Sequence, residues 1–146
     1  MNRPFDCKSS RRFGVEIELN TFDGDIKKTD PKLKIIPSGM DYIACLVKEA
    51  SRDNVEIIHW SNIHNNEDWV VKYDRSCGIE INTPVLKGWS GLTKLLKVVD
   101  SLSNDEKIKS NELCSLHVHI SVADLNAKQM AAVIAYYIKC EHVFFD

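Results

Sequence analysis

The sequence predicts an α+β domain whose helices cover one face of a sheet. Two observations predict it. Short segments alternate apolar and polar residues with the period of a half-buried strand, and three other segments repeat apolar residues with the period of a helix. A third sets the scale: 146 residues with 44% hydrophobic content, no repeat and no linker-like tract suit one core, so residues 1–146 are expected to form a single domain.

The first strand is read from Phe13, Val15, Ile17 and Leu19. From Thr21 to Pro37 charge and proline replace periodicity, which marks a surface connection and a candidate flap. Met40, Ile43, Ala44, Val47 and Ala50 then form one helical stripe. Val55 to Trp60 (VEIIHW) alternates less cleanly and is assigned as an edge or connecting strand. Trp69, Val71 and Tyr73, followed by Ile79 and Ile81, mark two more strands. A second helix is expected from Leu92, Leu95, Leu96, Val99 and Leu102, capped by Ser90. Leu116, Val118, Ile120 and Val122 form a last half-buried strand. Asn126 caps a third helix with Met130, Val133, Ile134, Tyr137 and Ile138 inward. Glu141 continues that stripe near a helix end, where it is expected to reach water.

Composition excludes several functions. A net charge of −2 and a pI near 6.2 provide no positive field to gather nucleic acid or anionic lipid. The longest apolar run, Met130 to Ile138, is far short of the roughly 20 residues that span a bilayer, and the N-terminus carries no apolar signal region, so a cytoplasmic location is expected. Five cysteines without a C-x-x-C pair fit neither a disulfide framework nor a thiolate zinc site and are expected to be reduced and mostly buried. Trp60, Trp69 and Trp89 are expected in core or rim packing. The H-E-x-x-H, G-x-S-x-G, P-loop and G-x-G-x-x-G signatures are all absent. Cys114 and His117 are poorly spaced along a strand to act as a nucleophile and its base.

Side chains of a strand alternate between faces, so setting the apolar residues inward assigns the rest to the opposite face. That face then holds Glu16 and Glu18, Lys72 and Asp74, Glu80 and Asn82, and His117, His119 and Ser121. Each alone is an ordinary solvated position. Together they gather carboxylates that repel one another unless a cation compensates, and carboxylate oxygens with imidazoles suit Mg²⁺ or Mn²⁺.

Four segments, Arg12-Phe-Gly-Val-Glu-Ile-Glu18, Trp69-Val-Val-Lys-Tyr-Asp-Arg-Ser76, Glu80-Ile-Asn-Thr-Pro84 and His117-Val-His-Ile-Ser121, resemble in their order and spacing the amidoligase family of carboxylate-amine ligases. The resemblance spans nearly the whole chain. It implies the fold shared by glutamine synthetase and glutamate-cysteine ligase, a curved, mostly antiparallel sheet with the site on its concave face. It further implies an enzyme that uses ATP and Mg²⁺ (or Mn²⁺) to form an amide through an acyl phosphate, on a small-molecule or peptide substrate. By the same resemblance Glu16, Glu18, Glu80, His117 and His119 are metal ligands, with His119 alternatively touching phosphate. Glu18, Glu80 and His119 are the catalytic set, and Arg12, Lys72, Asp74, Asn82 and Ser121 bind substrate or phosphate. Two positions depart from the family, Arg75 and Ser115, where it tends to have glycine. The family's domain continues further and the sequence stops inside an amphipathic helix, so the chain is expected to be the N-terminal part of a longer domain. Two other readings remain at this point: a metal-dependent hydrolase using His117, His119 and a carboxylate to activate water, and a folded module without catalysis. Sequence alone names neither the acid nor the amine and sets no oligomeric state.

Overall fold

One ten-residue strand, β1 (Arg12–Thr21), pairs along both of its edges and is the axis of a seven-stranded mixed sheet. The computed structural model describes residues 11–21, 39–58 and 67–145. The expected flap after Thr21, Cys7, and the end of the VEIIHW segment with Trp60 lie outside these residues.

On one edge β1 runs antiparallel to β4 (Gly78–Asn82), in register Glu16↔Asn82 to Leu19↔Ile79, and then to the short β5 (Leu86–Lys87). On the other edge it runs antiparallel to β7 (Leu116–Ile120), with Gly14 opposite His119 and Glu16 opposite His117, and to β6 (Ile108–Lys109). Beyond β4 lies antiparallel β3 (Trp69–Asp74), and beyond that β2 (Val55–Ile58), parallel to β3 and at the sheet margin, as an edge strand was expected to be. The fold is α+β and the sheet mostly antiparallel, with a single parallel pair among the described strands.

The core forms where the apolar parity of these strands meets two helices, α1 (Met40–Ser51) and α2 (Gly88–Ser103). Leu19, Trp69, Val71, Ile79 and Ile81 pack beneath Met40, Ile43 and Val47 of α1 and Val98 and Leu102 of α2. Burying each of these side chains contributes roughly 1.5–3 kcal/mol. The α1 stripe matches its sequence period. The α2 stripe is rotated from the expected one: Gly91, Val98 and Leu102 face inward, while Leu96 and Val99 are exposed. Gly91 explains the rotation. A Cβ placed there would lie 2.9 Å from the Leu86 Cβ, so only glycine lets the helix rest on β5 at this point. Nor does Ser90 cap this helix. It begins two residues earlier at Gly88, whose φ of 57° favours glycine, and the Ser90 hydroxyl instead donates to the Lys87 carbonyl.

The C-terminal helix α3 (Ala127–Phe145) starts as expected, with reciprocal bonds in which the Gln129 N–H donates to Asn126 Oδ1 and the Asn126 N–H to Gln129 Oε1. Its expected burial is not observed, since every described side chain of α3 is exposed, Glu141 included. The apolar side of β7 is exposed too, Leu116, Val118 and Ile120 at 57–63%. The covering helices sit over the other flank of the sheet, and α3 does not close over this one. Of the described cysteines only Cys77 is buried and all are free, against the expectation of mostly buried thiols; Cys45 and Cys140 sit on exposed helix faces. Trp69 is fully buried, Trp89 half exposed. Among the described residues no helix is long and apolar enough to cross a membrane.

Candidate active site

The polar face is assembled by strand register. The β1 backbone groups of even-numbered residues point toward β7, since the Ser121 N–H donates to the Arg12 carbonyl (2.8 Å) and the Glu18 N–H to the Ser115 carbonyl (3.1 Å). Glu16↔Asn82 and Glu18↔Glu80 are therefore non-hydrogen-bonded pairs of the β1–β4 ladder, the kind in which opposing side chains approach most closely. Two carboxylates, Glu18 and Glu80, thus face each other across adjacent strands. The four segments that carry the family resemblance occupy β3, β4, β1 and β7, which are consecutive neighbours in the sheet.

Two clusters result, with Glu18 between them. In the first, Lys72 Nζ lies 2.8 Å from Glu80 Oε1, and Asn82 Nδ2 donates to the same oxygen at 2.9 Å. Glu80 and Asn82 are buried, so this carboxylate depends on those two partners. In the second, Glu16 lies between two imidazoles, with His117 Nδ1 2.9 Å from Oε2 and His119 Nε2 3.3 Å from Oε1. Partial burial acts to raise the Glu16 pKa, but the His117 bond and the His119 and Lys72 charges outweigh it and hold the carboxyl below its usual range. The same hydrogen bond from Glu16, helped by the nearby acids, lifts His117 above the ordinary imidazole value. Glu18 accepts the Ser115 N–H at 2.7 Å. The non-glycine residue at this family-departing position therefore lends its backbone to a site carboxylate.

Beside the second cluster opens a cavity of about 430 Å³, whose polar wall comprises Arg12, Gly14, Glu16, Asn82, His119 and Ser121. Its other wall is the Thr83-Pro84-Val85 interruption between β4 and β5. There the Thr83 N–H donates to the Val15 carbonyl (2.9 Å), the Val15 N–H donates to Thr83 Oγ1 (3.0 Å), and that hydroxyl donates to the Pro84 carbonyl (2.9 Å). The register on β1 shifts by one residue here, from Glu16↔Asn82 to Phe13↔Leu86, and the Thr83 side chain takes the place of the backbone carbonyl that a regular ladder would offer the Val15 N–H. The structuring role of Thr83 is not evident from periodicity; the Thr-Pro dipeptide after a strand was its only signal. Nor does periodicity single out Arg11. Its guanidinium pairs with Asp124 (2.7 Å) and donates to the Ser121 carbonyl (2.8 Å), tying β1 to the chain beyond β7.

The expected residues are not all alike in placement. Arg12, Glu16, Asn82, His119 and Ser121 line the cavity, and Glu18, Lys72, Glu80 and His117 share its face of the sheet. Asp74 is engaged elsewhere. It accepts the Ser76 N–H at 2.7 Å and the Ser76 hydroxyl in the β3–β4 turn; burial raises its pKa, but these bonds prevail and lower it. Cys114 is bonded to Asn20 and Asn111 while His117 is held by Glu16, so no thiol–imidazole pair forms there. Burial, with the charges of Glu18 and Asp74, pushes the Cys77 thiol up to about 12.

The donor chemistry, hard carboxylate oxygens with imidazoles, fits a hard divalent ion. Among the described residues, however, no three acidic, imidazole or thiol groups converge as a metal-holding group. Glu16 and Glu80 are instead engaged by His117, His119, Lys72 and Asn82.

The profile of a family described as "putative amidoligase enzyme" matches residues 9–145. The chain belongs to the amidoligase family. No curated protein and no solved structure matches it. The amidoligase match covers every strand and helix described above, and it supports a ligase-type function in general.

Proposed function

We propose that this amidoligase-family chain is a carboxylate-amine ligase that uses ATP and magnesium, built on a glutamine synthetase-like sheet and acting in the cytoplasm. The observation that carries the reading is the convergence of its four characteristic segments on four adjacent strands, with their acids, imidazoles and lysine on one face beside a cavity. In this reading ATP transfers its terminal phosphoryl group to the carboxylate oxygen of the acid substrate. An amine then attacks the carbonyl carbon, a C–N bond forms, the C–O bond to phosphate breaks, and phosphate leaves with that oxygen.

Glu16, Glu18 and Glu80, with His117 or His119, would hold the magnesium, which supplies neutralisation of phosphoryl charge when bound. Contacts in this chain support the remaining roles. Lys72 and Asn82 fix the buried Glu80 carboxylate, and Glu16 sets the orientation of both imidazoles. In this reading His119 contacts phosphate and Arg12 and Ser121 bind the substrate carboxylate or phosphate, which their position along the cavity wall supports.

The test is hydroxamate formation from amino acids and hydroxylamine, with ATP consumption followed in parallel, for wild type, Glu18→Ala and His119→Ala. Wild-type turnover that falls by at least about a hundredfold in both variants is expected, because transition-state charge loses preorganised partners. Equal activity in all three proteins would end the assignment.

A further inference from the structure

We propose that Gly14 is the floor of the substrate cavity: the acid substrate of the proposed ligase lies against the bare backbone at this position, and residue 14 sets the size of the acid that the cavity admits. Each of the other glycines among the described residues has a conformational or packing reason to lack a side chain. Gly78 and Gly88 have positive φ (110° and 57°), a conformation that side chains disfavour. A Cβ at Gly39 would lie 2.5 Å from Thr21 Cγ2, and one at Gly91 would lie 2.9 Å from Leu86 Cβ, so packing closes both positions. Gly14 has neither reason. Its φ lies outside the left-handed region, and among the described residues a Cβ there meets one heavy atom within 4 Å beyond its chain neighbours, Thr83 Oγ1 at an ordinary 3.7 Å.

Glycine inside a strand weakens it, and where no bulge or bend uses the glycine, the role left is close approach of another group. The extra residue of the neighbouring register shift lies in the Thr83–Val85 segment and not in β1. On the polar face Gly14 stands between Arg12 and Glu16, whose α-carbons are about 13 Å apart, and opposite His119 on β7. The His119 imidazole reaches along to Glu16, with Nε2 3.3 Å from Oε1. Long polar side chains thus stand on either side of a bare stretch of backbone, and that stretch lines the cavity of about 430 Å³. The surrounding groups order the charge of a ligand. Arg12 and Ser121 at one end offer a guanidinium and a hydroxyl to an anion. An acid held there extends over residue 14 toward His119 and Glu16, the side of the face where the proposed phosphoryl transfer takes place. The identity of the ligand rests on the ligase reading above, and binding without turnover tests the floor apart from it.

Hydroxamate kinetics over the set of amino acids identify the acid that the wild type uses best. Gly14→Ala should raise the KM for that acid at least about tenfold, because a methyl group stands in its path, and leave the KM for ATP within about twofold. Its urea midpoint should equal or exceed that of wild type, since alanine suits an extended position that glycine weakens, whereas Gly91→Ala should lower the midpoint. Binding is read separately by two-dimensional NMR. The same amino acids without ATP should shift the Gly14 and Val15 amide resonances of the wild type saturably, and in Gly14→Ala should shift that of Val15 only at about tenfold higher concentration. A wild type that forms no hydroxamate yet shows these saturable shifts, weakened in Gly14→Ala, would end the ligase reading and keep the floor. Four results overturn the proposal: wild-type Gly14 and Val15 resonances that no amino acid moves, an acid affinity unchanged in Gly14→Ala, a loss confined to ATP, or a urea midpoint that falls in Gly14→Ala as it does in Gly91→Ala.

Discussion

Replacing Lys72 by Met tests the electrostatic arrangement of the polar face directly. Lys72 is the ammonium partner of Glu80, 2.8 Å from Oε1, and the Glu80 side chain is only 7% exposed while facing Glu18 on the neighbouring strand. Removing one partner of a buried ion pair typically costs about 3–5 kcal/mol, because the remaining charge is left uncompensated. Lys72 is 23% exposed, so water screens part of the loss, and about 2–3 kcal/mol is expected. For a chain of this size that corresponds to a fall in Tm of roughly 5–10 °C. Methionine keeps the length of the apolar stem, so packing contributes little. The assay is equilibrium urea unfolding of Lys72→Met, Glu80→Gln and the double variant. Glutamine retains an oxygen for Asn82 Nδ2 but carries no charge, so the double variant should lie within about 1 kcal/mol of wild type. A single-variant loss below about 0.5 kcal/mol, or strict additivity in the double variant, would refute the claim that Lys72 compensates a buried carboxylate.

Two further outcomes follow from the same geometry. Thr83→Val keeps the shape of the side chain but removes the hydroxyl that accepts the Val15 N–H, and Val15 is buried, so unfolding free energy should fall by about 1–3 kcal/mol in a urea titration, with Thr83→Ser recovering most of it. Cys77, with its pKa near 12, stays a thiol below that value, so alkylation of native protein at pH 8 should label Cys45 and Cys140 and spare Cys77 until denaturant is added; early modification of Cys77 in a peptide map would contradict its burial.

The parity of strands made most of the polar face legible, because a period of two is fixed by backbone geometry and does not depend on which strands pair. Glu16, Glu18, Lys72, Glu80, Asn82, His117 and His119 all reach the expected side for that reason. Pairing order is less accessible, since β1 joins residues 60 to 66 positions away on one edge and 99 to 107 on the other, and nothing local encodes that choice. Features that depend on one close contact were hidden. The α2 stripe looked apolar at Leu96 and Val99, yet Gly91 decides which side meets the sheet, and an absent side chain has no hydrophobic signature. The cavity wall likewise arises from a hydroxyl substituting for a backbone group, which periodicity cannot register. For α3 the helix and its Asn126 cap are as expected while the inward stripe is not, because amphipathicity states only that a stripe is available for burial, not which surface buries it.

The charge balance of the face gives the metal its physical argument. Glu16, Glu18 and Glu80 stand against the ammonium of Lys72 and the guanidinium of Arg12 at the cavity wall, so with neutral imidazoles the carboxylates outnumber the fixed cations of the face. Glu16 offsets part of its charge by holding His117 in a more readily protonated state, and Glu18 relies on one backbone N–H. A divalent cation brings two positive charges to the carboxylates in a single group, whereas a monovalent ion brings one. Magnesium binding only the folded chain, at about a hundred times its dissociation constant, would add about 2.7 kcal/mol, or roughly 5–10 °C in Tm. Thermal unfolding with and without millimolar magnesium, using sodium at matched ionic strength as the control, reads this directly. The increase should shrink by more than half in Glu18→Gln, which removes a charge from the middle of the face while leaving the Lys72–Glu80 pair intact. An identical increase in both proteins, or none beyond that given by sodium, would show that the uncompensated carboxylates are accommodated by water and imidazole protonation alone.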